Sequence, residues 1–191
     1  MRTIKNHISN TLVIKNSKFI CCLYKVYKLD DVNKYLFDIR NKYKDASHYC
    51  YAYIINNYKK FSDDNEPGGT AGNPILQVLE KNNLNYILCI VVRYFGGIKL
   101  GAGGLVRAYS KSVSNCIDKS IVISLVKGKN IDIIFDYDKI KAVDYILKDS
   151  FIINKEFSDD ITYNVNIEDN LLSKLDNIGK IIVNNDIYIE K

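Results

Sequence analysis

Two segments of this 191-residue chain place chemically capable residue types at close spacing. The first, FSDDNEPGGTAG over residues 61–72, sets Asp63, Asp64 and Glu66 within four positions. Clustered carboxylates hold Mg²⁺ or act as an acid and a base. They also pair with nearby arginines or cap a following helix, and for an isolated set in a loop that structural role is the better expectation. Thr70 is a hydrogen-bonding partner in the same loop. The second segment, GGIKLGAGG, supplies Gly96, Gly97, Gly101, Gly103 and Gly104, five of the ten glycines in the chain. Glycine permits positive φ and close backbone approach. A strand that feeds such a turn into a helix aims backbone N–H groups at one point, which suits an anion. Arg93, Lys99 and Arg107 flank the turn and complete a candidate phosphate site. The competing reading is a packing turn where helix and strand backbones touch.

Standard nucleotide motifs fit the turn poorly. A Walker A loop needs Lys and Ser or Thr after its last glycine, and Gly101 is followed by Ala102-Gly103. A dinucleotide fingerprint wants a small residue where Val106 stands, and no following strand offers a ribose-binding acid. His48 begins a strand two residues before Cys50, so a regular strand puts both on one face. A lone histidine is more often structural than catalytic, and buried strand cysteines are usually inert. Tyr49, Tyr51 and Tyr53 alternate on one face. They suit base stacking, but in a tyrosine-rich chain they more simply pack a core edge.

These residues need elements to position them. Apolar runs at Leu12–Ile14 and Phe19–Val26 read as a hairpin. Val32, Tyr35, Leu36, Ile39 and Tyr43 make a helical stripe, capped by Asp30 or Asp31. Residues 48–55 are strand-like, and residues 61–72 form a loop. Asn73-Pro74 opens a helix, with Pro74 in its first turn. Tyr86–Phe95 is a nearly continuous apolar run and reads as a buried central strand. Leu105–Ile117 follows the glycine turn as a helix, and Ile121–Val126 as a strand. The pattern then restarts. Strands at residues 131–135, 151–157, 161–167 and 181–189 alternate with helices at 140–147 and 171–178, the second stopped by Gly179. That βαββαβ order is ferredoxin-like. The expected architecture is therefore α+β in two domains, residues 1–126 and 127–191.

Composition narrows the function classes. No stretch of eighteen apolar residues exists, so no membrane helix is expected, and the N-terminus has no apolar signal core. The five cysteines are odd in number and form no CxxC pair, which argues against a disulfide framework or zinc site and fits a reducing cytoplasm. Residues 1–125 hold 18 Lys and Arg against 9 Asp and Glu, a balance of +9, while residues 126–191 hold 9 against 13, a balance of −4. The basic half suits an anionic partner, or solubility alone.

The segments FSDDNEPGGTAGNPIL (Phe61–Leu76) and VVRYFGGIKLGAGGLVRAY (Val91–Tyr109) strongly resemble the IMPACT/YigZ family. SKFI from Ser17 and SHYCYAY from Ser47 sit where that family has its early motifs, and the resemblance covers most of residues 12–120. It implies an N-terminal fold like the second domain of a small-subunit ribosomal protein, a sheet covered by two helices. It also implies a ferredoxin-like C-terminal domain similar to the last domain of the ribosome-translocating elongation factor. Eukaryotic members regulate translation by binding the activator of a starvation-sensing initiation-factor kinase. They carry an additional RWD domain that these 191 residues do not contain, so that role is not carried over. The signature polar residues of the family fall here on His48, Asp63, Asp64, Glu66, Thr70, Arg93, Lys99, Arg107 and Tyr109, with no settled catalytic role.

Three readings follow. The first is a translation-linked regulatory protein that binds RNA or ribosome-associated partners through its N-terminal domain. The second is an enzyme acting on a phosphorylated substrate, with Mg²⁺ on Asp63, Asp64 and Glu66 and the phosphate on the turn. It requires the acids to approach Arg93 or Lys99. The third is a protein–protein interaction module in which both loops are only structural.

Overall fold

A computed structural model describes all 191 residues as two compact units, Met1–Ile123 and Ser124–Lys191. No helix is long and apolar enough to cross a membrane.

The first unit begins with a short strand, β1 (Arg2–Ile4), and the hairpin β2 (Ile8–Ile14) and β3 (Ser17–Lys25). A two-residue turn joins the hairpin, with Lys15 and Asn16 both at positive φ, as tight hairpin turns require. Helix α1 (Leu29–Lys42) starts on Lys28 instead of on an aspartate. Asp31 acts from inside its first turn, accepting the amides of Tyr27 (3.0 Å) and Lys28 (3.2 Å). Strands β4 (His48–Ile55) and β5 (Tyr58–Ser62) follow, then helix α2 (Gly72–Lys81), strand β6 (Ile87–Tyr94) and helix α3 (Ala102–Asp118). The sheet order is β2-β3-β6-β4-β5, antiparallel throughout.

Helices cover both faces of this sheet, one more than the expected pair. Cys21, Leu23, Cys50, Ala52, Cys89 and Val91 pack with Ile75 and Leu79 of α2 and Leu105, Ala108 and Val113 of α3. Ile20, Cys22, Tyr53, Leu88, Ile90 and Val92 pack on the opposite face with Val32 and Ile39 of α1. Central strand β6 is buried on both sides, which is why its sequence reads as one apolar run. The tyrosines of β4 pack into the α1 face, with Tyr53 buried and Tyr49 and Tyr51 half-buried. All five cysteines are buried and free, and burial pushes the Cys22 thiol up to about 11.

Strand β7 (Val122–Phe135) runs unbroken through Val126–Lys129, where two separate strands were expected. The second unit continues with α4 (Ile140–Ile146), β8 (Phe151–Phe157), β9 (Ile161–Glu168), a short α5 (Leu172–Leu175) and β10 (Lys180–Glu190). The strand order is β10-β7-β9-β8, all antiparallel, which is the ferredoxin-like arrangement. Ile131, Ile133, Tyr163 and Val165 face Val143, Leu147 and Leu175 of the two helices. The other sheet face carries hydrogen-bonded Asn130, Asp132, Asn164, Asn166 and Asn184. Gly179 does not cap α5 through positive φ. A Cβ there would lie 2.4 Å from the Ile134 carbonyl oxygen, so glycine is needed for close approach.

Candidate functional site

The site forms at the end of the first sheet, on the face that α2 and α3 cover. Arg93 is the penultimate residue of β6, and the register sets it beside Phe19 of β3 and His48 of β4. The loop from Asp63 to Ala71 crosses above them. Its three acids diverge into three tasks because Asp64 and Asn65 both take positive φ and fan the side chains apart.

Asp63 folds the loop. Its carboxylate accepts the amides of Gly69 (2.9 Å), Ala71 (2.9 Å) and Gly72 (2.8 Å). It thereby satisfies the start of α2, whose N-cap residue Ala71 supplies no side-chain acceptor. Asp64 turns toward the other sheet face, accepting the Tyr49 amide at 2.6 Å and pairing with Arg40 at 2.9 Å. Thr70 donates to the Pro67 carbonyl at 2.6 Å and closes the turn. Asp63→Ala is expected to lower stability by about 2 kcal/mol, since it orphans helix-start amides that had a charged acceptor. Urea unfolding of the variant checks this.

Glu66 alone turns inward. Its Oε1 accepts from Arg93 Nη1 at 2.6 Å and from the Tyr109 hydroxyl of α3 at 2.8 Å. His48 Nδ1 donates to the Asp64 carbonyl at 2.9 Å, and Nε2 stands 3.9 Å from Glu66 Oε2. The Cys50 thiol lies 3.0 Å from the Asp63 carbonyl and 3.3 Å from the Tyr109 oxygen. Burial pushes this thiol up to about 12, opposed by the Tyr109 hydrogen bond and aided by the nearby acids. It stays protonated at neutral pH and is no thiolate nucleophile. Burial, with Cys50 and Glu66 nearby, also holds Tyr109 in its neutral form. The acids therefore bring one carboxylate to Arg93, and nowhere do three His, Cys, Asp or Glu side chains gather as a metal site.

The glycine segment divides into a turn and a helix start. Gly97 and Gly101 have φ of +82° and +71°, whereas Gly103 and Gly104 already lie in the first turn of α3. Gly101 is the N-cap, with no side-chain cap and no acid in that turn. The first internal bond runs from Leu105 N to Gly101 O at 2.9 Å, so the amides of Ala102, Gly103 and Gly104 have no partner within the helix. Of these three residues Ala102 lines a pocket of about 350 Å³, together with Glu66, Pro67, Arg93, Phe95, Lys99, Leu100, Gly101 and Leu105. Lys99 and Arg107 are exposed, and an Arg107 Nη lies 3.5 Å from where a Cβ on Gly103 would sit. Two larger hollows, of about 530 and 650 Å³, have no buried charged side chain in their walls.

The structure thus joins Glu66, Arg93, Tyr109 and His48 in one network, with Lys99 in the wall of the adjoining pocket and Arg107 beside Gly103 in the first turn of α3. It assigns Asp63, Asp64 and Thr70 to holding the loop. Sequence reading missed Phe95 and Pro67 as pocket walls and Ser17 as a partner of Arg93. Phe95 carried the clearest overlooked signal, an aromatic ending an apolar run directly before glycines.

Residues 15–117 match the family model of the Impact N-terminal domain. The chain is 38% identical to the IMPACT family member YvyE of Bacillus subtilis over 169 residues, covering 87% of this chain and 76% of that one. It is 32% identical to the IMPACT family member YigZ of Escherichia coli over 151 residues, covering 75% and 74% of the two chains. A crystal structure of a hypothetical protein superposes with a TM-score of 0.68 at 25% identity, over 96% of this chain and 97% of that one.

Proposed function

The chain belongs to the IMPACT family, and from that premise we propose that it is a translation-linked regulatory protein of the cytoplasm whose N-terminal domain binds RNA, ribosomal RNA included. The observation that carries this reading is the open start of α3. Three amides with no partner within the helix, no acid in the first turn, and Lys99 and Arg107 alongside suit a phosphate. The surrounding unit reinforces it, with 18 basic against 9 acidic residues over the first 125 positions. The metal-assisted reading has less support, because Asp63 and Asp64 are engaged by backbone amides and Arg40.

Fluorescence anisotropy with a single-stranded RNA probe tests the proposal. Affinity should fall with salt, with a log–log slope of roughly −0.7 for each phosphate neutralised. Replacing Lys99 and Arg107 together with alanine should weaken binding and flatten that slope by about 1 to 1.5. RNA affinity too weak to measure at low salt would remove the reading.

A further inference from the structure

The pocket beside α3 has features that a bare phosphate does not account for. Arg93 forms part of its wall and is only 5% exposed. Its Nη1 is taken by Glu66 and its Nη2 lies 3.5 Å from Ser17 Oγ, yet its Nε has no partner at all. A buried N–H donor without an acceptor is uncommon, and the side chain that carries it belongs to a residue lining the pocket at the start of α3. Glu66 neutralises the charge of Arg93. The positive potential at the pocket therefore comes from Lys99 and the start of α3.

The rest of the wall is apolar. Phe95 is 49% exposed, and its ring lies 5.6 Å from the Arg93 guanidinium carbon, which also sits 5.3 Å from Phe19. Pro67, Leu100 and Leu105 complete that side. A half-exposed aromatic ring beside cationic groups is the pairing that binds a base together with its phosphate. At about 350 Å³ the space is near the lower end of ligand pockets. It admits one ring and one phosphate, not a duplex.

We propose that this pocket takes a single nucleotide of single-stranded RNA, with the phosphate at the open start of α3, where Ala102 lines the pocket, and the base on Phe95. This rests on the RNA-binding reading and names the unit recognised. The same pocket explains why the helix start lacks an acidic residue, since an acid there would occupy the phosphate position.

The test uses the full chain, with AMP, adenosine and inorganic phosphate titrated by calorimetry and a short poly(A) strand by anisotropy. AMP is expected to bind at least about tenfold more tightly than either fragment and to displace the strand. Gly103→Asp puts a carboxylate in the open first turn of α3, where a Cβ meets nothing closer than Arg107 at 3.5 Å. It should keep or raise the melting temperature, because an acid suits a helix start, while lowering AMP and strand affinity about tenfold or more. Phe95→Ala should bring AMP down to the affinity of inorganic phosphate and leave phosphate itself unchanged. Phosphate binding as tightly as AMP, or Phe95→Ala leaving AMP unaffected, overturns the inference. A strand bound equally by the parent protein and both variants overturns it as well, while leaving RNA binding intact. AMP binding by a protein that binds no strand overturns the RNA reading and this extension together.

Discussion

Glu66→Ala is expected to destabilise the N-terminal domain by about 3–5 kcal/mol, the cost of stranding one member of a buried ion pair. Glu66 and Arg93 are 8% and 5% exposed, so solvent screens their 2.6 Å contact weakly. Alanine would leave the guanidinium buried between Phe19 and Phe95 without a counter-charge, and would remove the acceptor of the Tyr109 hydroxyl. Tyr109 is fully buried and cannot turn to water. Glu66→Gln keeps an oxygen for Tyr109 but not the charge, and should cost less. Arg93→Met combined with Glu66→Gln should be milder than Glu66→Ala, because no lone charge remains in the interior. Native-state hydrogen exchange of the β6 amides reads the effect on this domain alone. A loss below about 1 kcal/mol for Glu66→Ala, the range of exposed pairs, would show that water reaches the pair.

That network also shows what the sequence reveals and what it hides. Central strand β6 was legible because burial on both faces leaves no room for polar alternation. The ferredoxin-like order of the second unit was legible because each element keeps its own period. The acidic loop was visible as a cluster, but three neighbouring acids say nothing about direction. Positive φ at Asp64 and Asn65 sends one carboxylate to α2, one to Arg40 and one to Arg93. Strand β5 went unread because Lys59 and Lys60 are exposed on a sheet edge and break the apolar pattern expected of strands. The start of α3 was placed late because Gly103 and Gly104 are poor helix formers. The boundary expected after residue 126 falls inside β7, where Gly128 is a strand residue whose Cβ would meet the Ile167 carbonyl at 2.4 Å.

Glycine content alone therefore does not say what each glycine does, and substitution at Gly96 should separate the roles most sharply. Gly96→Ala is expected to cost about 3 kcal/mol or more. The added Cβ would fall 2.1 Å from the carbonyl carbon of Asn16 and 2.3 Å from both Asn16 O and Ser17 N. All three are backbone atoms of the β2–β3 turn, so no side-chain rotation relieves the clash. Either the hairpin or the β6–α3 connection must move. Such a shift breaks the 3.1 Å bond from Gly96 N to Ser17 Oγ, the same hydroxyl that lies beside Arg93 Nη2. Gly97→Ala meets no atom within 4 Å and is strained only by its positive φ, a cost of about 1–2 kcal/mol. Gly103→Ala, on a helix where the Cβ makes only an ordinary contact with Arg107 at 3.5 Å, should stabilise by up to about 1 kcal/mol. Urea unfolding of the three variants should rank them in that order. Equal losses at Gly96 and Gly97 would mean that the hairpin yields, and that the turn does not depend on backbone contact with it. With the expected order, loss of nucleotide binding in Gly96→Ala follows from displacement of Ser17 and Arg93.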